Sequence, residues 1–341
     1  MKIRKSTYLA VTVFFLITIF CVIASADTVQ PKVNNYHNYI PVTNNEYDPG
    51  IYGETIVWVG NQDQKSDVYM YNTSTSKINK ITASGSAQKS AIYDNIIVWS
   101  EAHNGKIDIY MYNTQTHKKA YITNTNSVKC LAIFGNKIVW VETRGQTPSG
   151  YDAYYIQMYD ISTKKKIQIP TDKSRKWSIK IYGNRIVWID DRNGFNNTSV
   201  YMYDLSTSKE TQITNSADWY APAIYKDRIV WVDIHKIDQG WLVPEIYMYN
   251  LSSSKKTKIA EYAHAPAIYD EKIVWVDGDS DIYKYDLSTS KKTKITNIES
   301  SKINPVIYKD RIVWADDRNG KWDIYMYNLS TSTETLITTN E

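Results

Sequence analysis

The chain has 341 residues, of which 22% are charged and 13% are aromatic, including 29 tyrosines and 11 tryptophans. Its 40 basic residues are nearly balanced by 36 acidic residues, which excludes the strong positive charge typical of proteins that bind nucleic acids or anionic membranes. With only two cysteines in the whole chain, a disulfide-stapled scaffold is also excluded.

The first 26 residues have the pattern of a secretory signal. Lys2, Arg4 and Lys5 precede an apolar run over residues 8–23, and Ala24-Ser25-Ala26 supplies a cleavage site. The alternative is an uncleaved anchor helix, for which the run is short. Cleavage removes three basic residues and no acidic residue, leaving 37 against 36. We therefore expect an exported protein, extracellular or at the cell surface, with no nucleic-acid partner and no membrane span in the mature chain.

An internal repeat dominates the rest of the chain. The tripeptide Ile-Val-Trp occurs seven times, at intervals of 39 to 48 residues. The repeated tryptophans are Trp58, Trp99, Trp140, Trp188, Trp231, Trp275 and Trp314. Such a period indicates an array of similar structural units, and a tryptophan fixed in every unit is expected to pack between neighbouring units as core.

Each repeat contains four short strands and no helix. In the last copy, four runs rich in β-branched and aromatic residues are separated by turn sequences. Asn-Gly pairs such as Asn319-Gly320 supply the positive φ of a tight hairpin, so the second and third strands are predicted to be antiparallel neighbours. A four-stranded unit of about 40 to 45 residues with one fixed tryptophan is typical of a propeller blade.

We therefore predict an all-β fold, a single seven-bladed β-propeller over residues 49–338. The predicted blades are 49–82, 90–123, 131–169, 179–214, 222–259, 266–296 and 305–338. An N-terminal segment, residues 27–48, precedes them. Residues 38–43 within it resemble an outer strand, so both this segment and residues 333–338 are candidates for the outermost strand of the seventh blade.

The repeat phrase Ile-Tyr-x-x-x-Ile-Val-Trp-x-Asp-x-Arg-Asn-Gly-x-x-Asp-Ile-Tyr-Met-Tyr-Asn, residues 307–328, resembles the TolB-type propeller repeat. It resembles in particular the variety found in cell-surface proteins of methanogenic archaea. The resemblance covers nearly all of the predicted mature chain. It implies an exported, non-enzymatic propeller used for interaction or for envelope structure.

Acidic residues recur two positions after the tryptophan, with Gly60 as the exception. This acidic ring comprises Glu101, Glu142, Asp190, Asp233, Asp277 and Asp316. One interpretation is that each carboxylate accepts turn N–H groups or pairs with a hairpin arginine. The other is a hard cation such as Ca²⁺, for which Asp277, Asp279 and Asp281 form the densest hairpin. No zinc-type cluster of His or Cys occurs, and no cofactor other than calcium is suggested. Lysines on the outer strands are expected to protect sheet edges from aggregation.

Aromatic residues occur just before the inner strands and in the hairpin loops, at positions that differ between blades. The candidate ligand-binding residues are Trp177, Trp219, Tyr220, Trp241, His264 and Trp322. We expect them on the same face as the acids, where they either cover their own loops or bind sugar rings and protein partners. Insertions at Gly145 to Ala153 and Ile234 to Pro244 are the predicted recognition loops. Cys130 lies where other blades place Asp48, Lys89, Ser178, Ala221, Ala265 and Asn304, and a small buried role is favoured there.

Three classes of function fit these features. The favoured one is a non-catalytic module that binds an envelope protein or a surface glycan, with no catalytic residues. The second is a glycan-active lyase or hydrolase, which needs two flanking carboxylates or a metal with a base. The third is a Tol-like envelope assembly factor.

Overall fold

The computed structural model describes residues 48–147, 150–194, 197–236 and 242–338. These residues form seven four-stranded antiparallel sheets, and in every sheet the strand order follows the chain order. The fold is therefore the predicted seven-bladed β-propeller. The signal region 1–26 and the candidate strand 38–43 lie outside the described residues. Within the described part of the chain, no helix is long and apolar enough to span a membrane.

The strands of each blade are given from the inner strand outward. Blade 1 comprises Gly50–Tyr52, Thr55–Gln62, Lys65–Asn72 and Lys77–Lys80. Blade 2 comprises Ala87–Tyr93, Ile96–His103, Lys106–Asn113 and Lys118–Thr125. Blade 3 comprises Cys130–Phe134, Lys137–Gln146, Asp152–Asp160 and Lys165–Ile169. Blade 4 comprises Lys176–Tyr182, Arg185–Asp190, Ser199–Asp204 and Lys209–Gln212.

The remaining blades follow the same order. Blade 5 comprises Ala223–Tyr225, Arg228–Lys236, Leu242–Asn250 and Lys255–Glu261. Blade 6 comprises Ala263–Tyr269, Lys272–Asp277, Ile282–Asp286 and Lys291–Lys294. Blade 7 comprises Lys302–Tyr308, Arg311–Asp316, Asp323–Asn328 and Thr333–Leu336.

The repeated tryptophan is at the centre of the packing between blades. Six of the seven are completely buried, and Trp58 is 4% exposed. The ring of Trp99 shows the pattern, since it packs against Val57, Val59 and Val68 of the preceding blade. Burial of so large an aromatic ring is one of the largest apolar contributions a side chain makes. The prediction that these tryptophans form core is confirmed.

The first and seventh blades meet through side-chain packing. Trp58 lies among Val313 and Ala315 of blade 7. Arg311 pairs with Glu54 at 2.9 Å and donates to the carbonyl of Gly53 at 3.0 Å. The outermost strand of blade 7 is Thr333–Leu336, which pairs with the third strand of the same blade. Every blade is thus one continuous stretch of chain.

The inner strands of blades 2, 4, 6 and 7 begin three residues earlier than the predicted blade boundaries. In blade 4, Trp177 pairs with Ile189 and Lys180 pairs with Val187, so a bulge separates the two pairs. Ser178 within this bulge has a φ of 57°. A bulge takes up an extra residue without ending the strand. A positive φ at a serine or an alanine cannot be recognised from the residue type in the sequence. Trp177 and His264, predicted to precede the inner strands, therefore lie within them.

A ring of aromatic side chains surrounds the central channel where the inner strands end. Neighbouring rings are in contact all the way around, with centroids 4.5 to 5.0 Å apart and interplanar angles of 42° to 57°. Planes that lie parallel to a seven-fold axis are rotated by about 51° from one blade to the next. The observed interplanar angles are close to this value, so the planes of these rings lie parallel to the channel axis. We call this feature the collar. It consists of Tyr52, Tyr93, Phe134, Tyr182, Tyr225, Tyr269 and Tyr308.

Candidate functional site

The hairpin face is the end of the propeller where the second and third strands of each blade are joined. The acidic ring lies there, at the ends of the second strands. The indole N–H of Trp99 donates to Glu101, and those of Trp140, Trp188 and Trp314 donate to the acid of their own blade, at 2.9 to 3.1 Å. The carboxylates are largely withdrawn from solvent, with Asp190 and Asp316 completely buried.

Lysines from the outer strands reach these carboxylates in four blades. The Nζ–oxygen distance is 2.7 Å for Lys292 and Asp277 and 3.2 Å for Lys256 and Asp233. Lys119 and Lys166 lie at 3.9 and 4.0 Å from the acids of blades 2 and 3. All four ammonium groups also lie 5.0 to 5.4 Å from the centroid of the buried tryptophan of their blade. These outer-strand lysines, assigned to edge protection from the sequence, therefore also neutralise the acidic ring.

Blades 4 and 7 replace the lysine with a different arrangement. Arg192 in the hairpin lies 2.8 Å from Asp190, and its guanidinium stacks 3.9 Å from the ring of Tyr201. On the outer strand Glu210 takes the lysine position and pairs with the same arginine. Arg318, Asp316, Tyr325 and Glu334 repeat this arrangement in blade 7. We call the Trp, acid, Tyr and cation of a blade its blade cluster.

Blade 1 lacks the cluster charges altogether. Gly60 stands at the acid position, and Ile78 stands opposite Tyr71 where other blades place lysine or glutamate. A Cβ on Gly60 would meet the ring of Tyr69 at 3.1 Å and the indole nitrogen of Trp58 at 3.2 Å. The acid and its cation are thus lost together, which indicates that they form one structural unit.

The structure does not assemble a calcium site from Asp277, Asp279 and Asp281. Lys294 lies 2.8 Å from Asp279 and 2.7 Å from Asp281, and Lys292 pairs with Asp277. Asp281 also accepts the hydroxyl of Thr296 at 2.6 Å. Among the residues that the structure describes, no three His, Cys, Asp or Glu side chains are arranged to hold a metal ion. The ammonium groups of Lys292 and Lys294 therefore balance the charge of these carboxylates.

Four of the predicted aromatic residues come together over three neighbouring blades. The rings of Trp177 and Trp219 lie 4.6 Å apart and are tilted by 59°. The rings of Tyr220 and His264 lie 5.1 Å apart. These four half-buried residues, which we call the aromatic arc, join blade 4 to blade 5 and blade 5 to blade 6. Trp322 packs between blades 7 and 1, as Trp177 packs between blades 4 and 5. Trp241 lies outside the described residues.

Two titratable groups at the aromatic arc have shifted pKa values. Burial raises the pKa of Asp218 to about 6, although its carboxylate accepts the backbone N–H of Trp219 at 2.6 Å. Burial lowers the pKa of His264 to about 4, so its imidazole is neutral at pH 7. Within the described residues the buried Nδ1 of His264 has no hydrogen-bond partner. Perturbed groups of this kind cluster at functional sites.

Sequence reasoning missed some residues of this face. Tyr151 is 70% exposed and belongs to the predicted recognition loop Gly145 to Ala153. Asp218 and Arg175, whose guanidinium lies 5.5 Å from the Trp177 ring, were not singled out. Tyr151 could have been predicted from the sequence, because it is an aromatic residue inside an insertion. The second insertion lengthens a hairpin, since strand pairing in blade 5 extends to Lys236 and Leu242.

No protein-family model matches the chain, and no curated protein matches it. Solved structures share its fold. The β-propeller domain of the Trilobed protease from Pyrococcus furiosus, which has an open velcro topology, matches with a TM-score of 0.66 at 13% identity, over 86% of this chain and 94% of that one. The acylaminoacyl peptidase of Pyrococcus horikoshii matches with a TM-score of 0.66 at 12% identity over 86% of this chain. This chain spans about half of that peptidase, 52%.

An oligogalacturonate lyase in complex with manganese also matches, with a TM-score of 0.60 at 12% identity, over 81% of this chain and 86% of that one. At such identities the likeness shows the fold alone. The structural neighbours thus include propeller domains of peptidases and a lyase, and they share the propeller fold with this chain.

Proposed function

We propose that the chain is an exported, non-catalytic binding propeller of the cell surface, and that the aromatic arc is its recognition site for an envelope protein or a surface glycan. The observation that carries this proposal is the contact of aromatic rings across blade boundaries at positions that vary along the repeat. In blades 2, 3 and 7 the corresponding residues are Gln88, Lys129 and Ile303. The arc is therefore a local feature of blades 4 to 6, whereas the tryptophan core recurs in every blade.

The chemistry of the arc suits binding. Half-buried aromatic rings present large, rigid apolar surfaces that anchor protein side chains or stack on sugar rings. Asp218 and Arg175 place one charge of each sign beside the rings. The rings of Trp177 and Trp219 are in contact and tilted by 59°, so together they form one apolar patch across the boundary between blades 4 and 5. The signal-like N-terminus and the resemblance to TolB-type surface propellers support a partner outside the cytoplasm.

The test compares three forms of the chain from residue 27. They are the wild type, the double variant Trp177→Ala/Trp219→Ala, and the control Trp322→Ala, which removes a tryptophan from the same face on a different blade. Each is immobilised and incubated with solubilised envelope, and the captured component is purified and titrated by biolayer interferometry. We expect affinity to fall about a hundredfold in the arc variant, as for loss of two aromatic hot spots, and to be unchanged in the control.

Equal binding by the arc variant and the wild type, or no captured component at all, would contradict the proposal. Turnover of a polysaccharide by the wild type would favour the glycan-active alternative. Co-purification of a stoichiometric envelope complex whose binding is insensitive to the arc would favour an assembly factor.

A further inference from the structure

A methionine lies in the third strand of six of the seven blades and packs against the following blade. In blade 5, for example, Met248 belongs to the same apolar cluster as Tyr285 and Leu287 of blade 6. Blade 6 is the exception, because Lys284 stands at this position. The seam between blades 6 and 7 therefore has a lysine where the other seams have methionine. The six methionines are Met70, Met111, Met158, Met202, Met248 and Met326.

A cavity of about 310 Å³, which we call the seam cavity, lies between blades 6 and 7. Lys284, Lys291 and Thr293 line it from blade 6, and Tyr327 and Leu329 line it from blade 7. This tyrosine and this leucine occupy the positions that contact the methionine in the seam between blades 5 and 6. The volume is at the lower end of the range of pockets that hold small organic ligands. The seam is thus open at the point where lysine replaces methionine.

The strand pairing of blade 6 places the polar groups of the seam cavity on one face of the sheet. Lys284 lies opposite Thr293, and Asp286 lies opposite Lys291, with no register shift between the third and fourth strands. Residues two positions apart on a strand point to the same face. The four side chains therefore share a face with Ile295, which packs against blade 7. This face is the one that borders the cavity.

Two lysines of the seam cavity have no counter-charge of their own. Neither Lys284 nor Lys291 forms an ion pair within the part of the chain that the structure describes. Lys294 also lines the cavity, but its ammonium lies 2.8 Å from Asp279 and 2.7 Å from Asp281 and is neutralised there. Partial burial of an unpaired ammonium costs free energy. Exchange of a packed methionine for Lys284 thus does not stabilise the fold, which points to a role in binding.

The acid of the seam cavity, Asp286, serves the turn that follows its strand. Its Oδ1 accepts the N–H groups of Ser288 and Thr289 at 3.1 and 3.2 Å. This position is Asp or Asn in every blade, so Asp286 is not a change that accompanies Lys284. It balances one of the two unpaired lysines, and the cavity keeps an excess of positive charge. The corresponding residues are Asn72, Asn113, Asp160, Asp204, Asn250 and Asn328.

We propose that the seam cavity binds a sugar acid, with the carboxylate of the sugar at Lys284 and Lys291. An ammonium–carboxylate hydrogen bond is stronger than a neutral one, and the ring of Tyr327 offers an aromatic surface to the sugar. Hydroxyl groups that can donate to and accept from sugar hydroxyls also line the cavity. They belong to Thr289, Thr293 and Ser332.

The seam cavity is separate from the aromatic arc. Two of its lining residues, Thr289 and Ser332, lie in the turns between the third and fourth strands of blades 6 and 7. In an antiparallel blade these turns are at the opposite end from the hairpins that join the second and third strands. The cavity therefore lies toward the end opposite the hairpin face, and the proposal does not depend on the arc.

The experiment titrates glucuronate and its epimer galacturonate into the chain from residue 27 by isothermal titration calorimetry. Glucose is the counterpart without a charge, and inorganic sulfate is the counterpart without a sugar ring. We expect at least one sugar acid to bind tenfold or more tightly than glucose or sulfate. Lys284→Gln, which keeps a polar side chain but removes the charge, should weaken this binding about tenfold.

Lys284→Met should weaken it at least as much, and it gives blade 6 the residue that the other six blades carry. Its thermal unfolding midpoint should equal or exceed that of the wild type, because methionine fills the seam. This melt shows that lost binding is not lost folding. The matched control is Lys118→Met, which changes an exposed lysine at the start of the outer strand of blade 2 and should leave binding unchanged.

The arc variant Trp177→Ala/Trp219→Ala should bind the sugar acid as the wild type does, so the arc and the seam cavity are tested independently. The proposal is overturned if neither sugar acid binds, or if glucose or sulfate binds as tightly as the sugar acids. It is also overturned if Lys284→Gln and Lys284→Met bind the sugar acid as the wild type does.

Discussion

The blade clusters and the aromatic arc vary between blades in opposite ways. In a blade cluster every change is matched by another: Gly60 accompanies Ile78, and the arginine blades exchange the outer-strand lysine for Glu210 or Glu334. Along the aromatic arc, residues change from blade to blade without a matching change at a second position of the repeat. Coupled changes preserve the free energy of folding. Uncoupled changes occur at positions that contribute little to that free energy. The arc is therefore a region in which function can be encoded.

The largest expected effect is the loss of a core tryptophan. Trp188→Ala removes a completely buried ring and should lower the free energy of unfolding by about 3–5 kcal/mol. Trp177→Ala, eleven positions earlier in the same blade, removes a half-buried ring of the aromatic arc and should cost less than half as much. Urea unfolding monitored by circular dichroism measures both. Equal costs would mean that the arc belongs to the core.

The next effect is the loss of a fully buried carboxylate. Asp190→Asn leaves the ammonium of Lys176, which is also completely buried and lies 3.4 Å away, without its counter-charge. We expect a loss of about 3 kcal/mol at pH 7. Asp277→Asn, whose partner Lys292 is nearly half exposed, should cost about 1 kcal/mol or less.

The pH dependence of the Asp190 effect follows from its pKa, which is lowered to about 2 against the desolvation that opposes ionisation, chiefly by the Arg192 hydrogen bond and the Lys176 charge. A carboxyl group whose folded pKa lies below the unfolded value stabilises the fold above pH 4 and loses this effect as the pH falls toward 2. The difference in urea midpoint between wild type and Asp190→Asn should therefore shrink between pH 4 and pH 2. A difference independent of pH would show that the carboxylate charge is not what stabilises the site.

The fold could be predicted from sequence because each blade repeats the same strand and turn signals. The collar was also accessible, since an aromatic residue ends every inner strand, from Tyr52 to Tyr308. The pairing of outer-strand lysines with the acids could be recognised only by comparing which positions change together from blade to blade. Contacts within the aromatic arc could not be predicted, because Trp177 and Trp219 meet only through the angle between blades and the bulge at Ser178.

A smaller effect is expected at the aromatic arc. Burial raises the folded pKa of Asp218 to about 6, so the unfolded chain loses this proton near pH 4 while the native chain keeps it until about pH 6. Stability contributed by the protonated group is therefore lost as the pH rises through this window. Asp218→Asn removes this loss of stability and should stabilise the fold by about 1–2 kcal/mol at pH 8. This value allows for the solvent screening of a partly exposed group.

At pH 3.5, where the carboxyl is neutral in both states, Asp218→Asn should have almost no effect. Thermal melts at the two pH values measure the difference. If Asp218 is well hydrated, Asp218→Asn should not change the stability at pH 8 either. That result would contradict the burial of an acid in the aromatic arc.

The smallest effect tests the coupling within one blade cluster. Asp277→Asn and Lys292→Met each break the 2.7 Å ion pair of blade 6, and Lys292→Met also removes an ammonium 4.3 Å from the ring of Tyr283. The double variant imitates blade 1, where both charges are absent, so its cost should be less than the sum of the single costs by about 0.5–1 kcal/mol. The coupling should diminish in 1 M NaCl, because salt screens a half-exposed pair. Additive costs at low salt would indicate that acid and lysine change together for reasons other than their mutual attraction. In that case, coupled changes would indicate a contribution to folding stability only in the buried clusters of blades 4 and 7.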